Sequence, residues 1–373
     1  MHQSARSDQV HPEHELVKPI EPKSEETPKT KEAVPDPTNW QMAKNIFVLA
    51  VPSTLSVFLE IVMEVINTLF IGRLGDATMM AALGLAHIIF NLLTLIPIMG
   101  ANTALETFVS QAFGAKDLRE CGNYLNRGRL VVFAVYIPSM IITLNCESIL
   151  VAMKQDPKAA RYAFEYSKPM IAALIFTGMI DLQRKFLAAM GYPIVPTLCQ
   201  IVGVAMDILL NWVFIDRYKL VGVGYSTLIS QATVFFLMMI YTHCIKAIRP
   251  ACFNPFTRQA IEAVIDRSKF WVYFKLVIPS TLMFFLEWGA FQFLILMAGY
   301  FSTNALAAQV VLNNIVWIGF MLAYGISIAT STLVGNSIGA GKIVLAKKYA
   351  RMIVVGSVFA NAIECLILLF LRE

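Results

Sequence analysis

A few acids and amides stand inside otherwise apolar stretches of this chain, at spacings that can do chemistry. Glu60, Glu64 and Asn67 fall at i, i+4 and i+7, so a helix presents them on one face. Asp207 and Asn211 share a face in the same way, and Glu287 stands in the run FLEWGAFQFLILMAG with Gln292 further along it. Glu106 and Glu364 complete the set, and Asp181 precedes Arg184 and Lys185 by one turn. An ionisable side chain at bilayer depth costs at least ~2.5–3.5 kcal/mol, so each requires a reason. The chemistry open to such an acid is reversible binding of a proton or a cation, because a low dielectric shifts a carboxyl towards its neutral form. The bland alternative is a structural ion pair or a polar helix–helix contact. That reading fits Asp181, which has cations one turn away, and Glu106, close to a span end with loop cations at hand. Glu364 reads as a packing or interfacial residue. Glu60, Glu64 and Glu287 have no cation on their own helix face and read as functional, while Asp207 is evenly divided between the two.

The elements that position these residues must be membrane helices. The 373-residue chain is 57% hydrophobic and only 15% charged, with mean hydropathy +0.63; soluble domains carry about 25% charged residues. Nine runs are long and apolar enough to cross a bilayer, at roughly 45–71, 79–108, 130–153, 169–190, 194–215, 221–245, 271–299, 305–334 and 349–371. Trp40 and Tyr218 stand near span ends, where amphipathic rings favour the interface. Residues 1–42 hold six prolines and eight acids against five bases, a net charge of −3. They contain no apolar signal-peptide core and read as a disordered cytoplasmic tail. With a total of +5 for the whole chain, the rest then carries +8, which suits cytoplasmic loops rather than nucleic acid. With the N-terminus inside, inner connections hold fourteen lysines and arginines, among them Arg119, Arg127, Arg129, Arg184 and Lys185, against seven outside. That asymmetry favours a cytoplasmic N-terminus.

An internal repeat organises the spans. VPSTLSVFLE at 51–60 and IPSTLMFFLE at 278–287 agree at seven of ten positions, and Gly100, Ala104, Thr107, Val109, Gly114 and Ala115 recur 225 residues later. Six spans separate the two starts, so both copies enter the membrane in the same direction, a parallel repeat whose substrate site lies between lobes near the midplane. The expected fold is an all-α integral membrane protein of about nine helices: a complete six-helix N-lobe at 43–250 and a partial C-lobe at 251–373 with three helices of the repeat.

Other classes fare poorly. No HExxH, GxSxG or phosphate-binding glycine loop occurs, and Asp181 with Asp207 is a poor aspartyl-protease pair because Asp181 already has basic neighbours. The six cysteines form no CxxC, and His2, His11 and His14 lack the spacing of a metal site. No enzyme, cofactor or metal is expected. Pro138, in mid-span, marks a kink or a hinge.

ALETFVSQAFGAKD at 104–117, its counterpart STLVGNSIGAGK at 331–342, INTLFIGRLG at 66–75 and QRKFLAAMG at 183–191 resemble the multidrug and toxic compound extrusion (MATE) family. The seventh-span run resembles that family's eukaryotic branch. The likeness covers roughly 43–365. It implies two six-helix lobes and export of organic cations, drugs or metabolites against protons or sodium, in a plasma membrane or acidic organelle. It assigns Glu287 as a proton-coupling carboxylate. The nearby Phe284, Trp288 and Phe291 offer cation–π contacts or lipid-facing packing, the latter being the better reading for at least half of them. Three departures stand out: Gln292 replaces a second glutamate, Asn67 replaces a first-helix aspartate with Glu60 and Glu64 as possible substitutes, and helices ten to twelve are missing. A non-transporting subunit that needs a protein partner is the alternative. A lipid-linked oligosaccharide flippase is less favoured, since its cavity should be basic.

Overall fold

A backbone crossing lipid must satisfy its own hydrogen bonds, which leaves helices as the solution for runs of this length. The computed structural model describes residues 37–252, 258–301 and 303–370. Their order is α1 (Asn39–Gly72), α2 (Ala77–Phe90) continuing through a π-helical turn (Asn91–Leu95) into α3 (Ile96–Gly114), α4 (Leu118–Leu144), α5 (Cys146–Ala152), α6 (Pro157–Ala189), α7 (Ile194–Cys244), a 3-10 turn (Arg249–Ala251), α8 (Arg258–Ile265), α9 (Arg267–Phe301), α10 (Thr303–Gly339) and α11 (Ile343–Phe370). As one rod, α7 would be about 76 Å long, far beyond the ~30 Å hydrocarbon layer. It breaks at Lys219 (φ 50°, ψ −128°), and the chain folds back so closely that a Cβ on Gly222 would lie 2.7 Å from the Phe214 carbonyl oxygen. Counting its halves separately, the described residues contain nine segments of membrane-crossing length. Five helices are both long and apolar enough to cross on their own composition, α7 and the joined α2–α3 among them.

The helices outrun their apolar cores. Thr38 and Gln41 form a reciprocal capping box, with Thr38 N donating to Gln41 Oε1 at 2.8 Å and Gln41 N to Thr38 Oγ1 at 3.3 Å. Residues 39–42 of the expected tail are therefore helical, and residues 1–36 lie outside the described residues. The third span starts at Leu118 rather than 130, so Arg119, Arg127 and Arg129 belong to α4 and not to a loop. Arg127 is fully buried, donating to Glu120 at 3.1 Å. Arg184 and Lys185 likewise lie inside α6. These charges therefore say nothing about loop bias.

Prolines leave readable marks. Pro97 lacks the N–H that would bond the carbonyl of Leu93, and the helix widens into the π turn immediately before it. The freed Leu93 oxygen accepts instead from the Ser139 hydroxyl of α4 at 2.6 Å. Pro138 sits within an unbroken α4.

The repeat is realised as reciprocal close contacts. A Cβ on Gly100 of α3 would lie 2.6 Å from the backbone of Thr281 in α9, and one on its counterpart Gly325 of α10 would strike Thr54 in α1. Thr54 and Thr281 are themselves matched positions of the repeat. Gly114 meets the backbone of Asn336, and Gly339 meets that of Gln111, again a matched exchange. The two copies thus grip each other through α3 and α10, with glycines letting backbones touch, as small residues do between membrane helices. Against this seam lies α6, buried along every residue from Thr177 to Met190. We expect Gly339→Ala to destabilise the protein by about 1–3 kcal/mol in a detergent melting experiment. Gly84→Ala, where no atom lies within 4 Å of a built Cβ, should leave the melting temperature unchanged.

Candidate functional site

The buried end of α6 carries three charges. Asp181 accepts from Arg184 Nη2 at 2.7 Å, from Lys185 Nζ at 3.2 Å and from Asn102 Nδ2 of α3 at 2.9 Å. Arg184 Nη1 reaches Glu60 of α1 at 2.8 Å. Lys185 also donates to the Met99 carbonyl at 3.0 Å and stands 6.0 Å from the ring centroid of Phe284 in α9. Glu106 of α3 is buried, couples electrostatically to Lys185, Asp181 and Arg184, and faces Ser331 of α10. Its Oε1 has no hydrogen-bond partner among the described residues. Three carboxyl groups thus face two cations where α1, α3 and α6 meet α9 and α10.

A second polar cluster lies where α1 crosses α7. Asn211 Nδ2 donates to Asp207 Oδ2 at 2.9 Å and to Asn67 Oδ1 at 2.7 Å, and Asn67 Nδ2 donates to Thr227 Oγ1 at 3.0 Å. Asp207 and Asn211 are wholly buried. The Ser230 hydroxyl faces Asp207 as a donor in its neighbourhood, while Asp207 Oδ1 and Asn211 Oδ1 accept no hydrogen bond of good geometry among the described residues. Two unsatisfied acceptor oxygens in one buried cluster require a donor, and a proton or a small cation meets that need. A chain of polar groups leads towards it. Glu64 bonds His87 Nδ1 of α2 at 3.0 Å, His87 Nε2 lies 3.4 Å from Tyr166 OH of α6, and Tyr166 is electrostatically coupled to Asp207. Glu64 is half-exposed at the head of this path.

The face shared by Glu60, Glu64 and Asn67 is therefore divided among three neighbours. Glu60 turns to α6, Glu64 to α2 and Asn67 to α7. Glu60 lacks a cation only along its own helix; Arg184 reaches it from 124 residues away in sequence. The bases near Glu106 are those of α6 rather than of loops. Asp181 is held in ion pairs, as its spacing implies. Glu287 is exposed on α9. The Gln292 side chain lies outside the described residues. Phe284 stacks on Trp288 at 4.9 Å but also lies by Lys185, so one cation already occupies its neighbourhood. Glu364 lies tight against α10, where a Cβ on Gly319 would strike its carboxylate. From sequence His87 reads only as a core or interface residue, and Tyr166, Asn102 and Thr227 escape sequence reading, because their partners come from other helices. The only local hint is a polar residue in an apolar run.

The sequence matches the MatE family model over residues 52–213 and 279–373, two stretches that begin at the paired Pro52 and Pro279. It is 26% identical over 358 residues to multidrug and toxin extrusion protein 1 of Oryctolagus cuniculus, covering 93% of this chain and 62% of that protein. It is 28% identical over 318 residues to Protein DETOXIFICATION 16 of Arabidopsis thaliana, covering 84% of this chain and 64% of the relative. The chain thus spans less than two thirds of the length of these curated relatives. Its fold is similar to that in the crystal structure of the eukaryotic MATE transporter AtDTX14, with TM-score 0.77 and 22% identity over 87% of this chain and 72% of that one.

Breaking a buried ion pair from one side strands its partner at about 3–5 kcal/mol. Arg184→Gln should therefore lower the melting temperature sharply, and Glu60→Gln in that background should recover part of the loss. Equal melting of Arg184→Gln and the parent chain would show that the cluster contributes nothing to stability.

Proposed function

The chain belongs to the MatE family, in its eukaryotic type, and is an integral multi-pass membrane protein; from that premise we propose that it is a secondary antiporter exporting organic cations in exchange for protons. The observation that carries the reading is the wholly buried Asp207 with its unsatisfied oxygen, approached from half-exposed Glu64 through His87 and Tyr166. Hydrogen-bond exchange can pass a proton along Glu64, His87 and Tyr166, and Tyr166 is coupled to Asp207 through charge rather than by a hydrogen bond. Asn67, which cannot titrate, holds Asn211 and so orients the site rather than loading it. Glu287 is the matching carboxylate of the second copy, at the repeat position of Glu60. It binds a cationic substrate when ionised and releases it when protonated, since one carboxylate cannot hold a proton and pair with a cation at once. Gln292 contributes polarity to the same helix without a second titration.

The cycle is alternating access. The copies are joined along α3 and α10 through the Gly114–Asn336 and Gly339–Gln111 contacts, and separation of that seam opens one face while the other closes. The carboxyl groups of Asp207 and Glu287, which carry the scheme, favour cations over phosphate-bearing lipids as substrates. The protein sits in a plasma membrane or an acidic organelle membrane, with its N-terminus cytoplasmic. Sodium in place of the proton is the variant of this scheme that the ion dependence of exchange separates.

Reconstituted in liposomes under a pH gradient, the full chain should take up a fluorescent organic cation as protons leave. Glu287→Gln and Asp207→Asn should each reduce exchange at least about tenfold while the protein remains inserted and folded. A Glu287→Gln protein exchanging at the normal rate would sink the proposal. Uptake driven by sodium and indifferent to pH would reassign the coupling ion.

A further inference from the structure

A cavity of about 470 Å3 lies where α4, the end of α6 and the end of α7 meet the 3-10 turn at Arg249–Ala251. Its wall is rich in donors. Arg129 uses Nη1 on Asn126 Oδ1 at 2.9 Å, and its Nη2 finds only the soft sulfur of Met239 at 3.8 Å. Arg249 lines the same space. His243 commits Nδ1 to the Met239 carbonyl at 2.8 Å, which leaves Nε2 as its remaining polar atom. Gln183 and Thr242, both buried, bond each other at 3.0 Å at the base. No acidic side chain lines the cavity, and neither arginine has a carboxylate partner among the described residues. Burial pushes the neighbouring Cys252 thiol up to about 11, so it brings no negative charge.

The half-buried guanidinium of Arg129 has no counter-charge and calls for an anion, which the exposed Arg249 beside it can share; the planar guanidinium fork suits a phosphate group. The volume falls within the range of small-molecule sites. The cavity lies at the membrane face where α4 begins and α7 ends, which is cytoplasmic when the N-terminus is inside. That leaflet holds the anionic lipids, and basic pockets between membrane helices there take phosphate-bearing headgroups. We propose that Arg129 and Arg249, with His243 and the Asn126 amide, form a phosphate-binding site at the inner membrane surface. The inference is independent of the transport reading. The shared chemistry is a phosphate group carrying net negative charge, presented either by a lipid headgroup or by a soluble phosphate.

The test uses the full chain in nanodiscs of phosphatidylcholine, with and without phosphatidylinositol phosphate, read by thermal melting across a lipid titration. The melting temperature should rise with the anionic lipid, and Arg129→Gln or Arg249→Gln should each weaken the apparent affinity about tenfold. Inorganic phosphate producing the same arginine-dependent rise in phosphatidylcholine alone would keep the site and assign it to a soluble ligand. A rise that persists undiminished in both variants, or no rise with either probe, overturns the proposal. Arg249 is exposed, so its variant decides the outcome even where Arg129→Gln fails to fold.

Discussion

Charge cannot be left alone in hydrocarbon, and the interaction that answers this constraint here is the chain of ion pairs Glu60–Arg184–Asp181–Lys185. One buried helix supplies both cations and one of the anions, so α6 cannot take any position in the bundle that leaves Arg184 facing lipid. Glu60 then fixes α1 against α6, Asn102 and the Met99 carbonyl fix α3, and Lys185 meets Phe284 of α9. A bundle of interchangeable apolar helices could pack in many rotations; this cluster selects one. Such a role for buried charge is specificity rather than raw stability, because replacing a buried ion network with apolar groups is often neutral or stabilising.

The repeat adds a second constraint that acts on shape instead of charge. Gly100 and Gly325 admit Thr281 and Thr54, while Gly114 and Gly339 admit Asn336 and Gln111. Each contact has a counterpart made by the matched residue of the other copy. The ion cluster has no such counterpart among the described residues, since Glu287, matched to Glu60, stands exposed on α9. Symmetry thus governs the seam between the copies, and asymmetry governs what each copy holds.

The span positions are legible in sequence because the hydrophobic signal of a crossing helix is long and needs no partner. The break at Lys219 is legible for the same reason, as a polar interruption between two apolar runs. Helix ends are not: α4 begins at Leu118, well before its apolar run, with Arg127 inside it neutralised by Glu120, and α6 begins at Pro157, twelve residues before its own. Within one helix, spacing correctly pairs Asp181 with Lys185 and Asp207 with Asn211. Across helices it is silent, which is why Arg184 opposite Glu60 and His87 opposite Glu64 come only from the fold. The seventh-span aromatics show the same limit, as Phe284 neighbours a lysine that no local pattern connects to it.

The composition of α6 also bears on how the chain is made. Unlike α1 and α4, it is not among the helices apolar enough to cross on their own, and its three terminal charges weigh against spontaneous partitioning from the translocon. Its countercharge on α1 and its amide partner on α3 are synthesised earlier, so they are already in the membrane when α6 emerges. Insertion of the fourth crossing is then a docking event onto helices awaiting it. The order of synthesis, acid first and base later, becomes part of the folding programme.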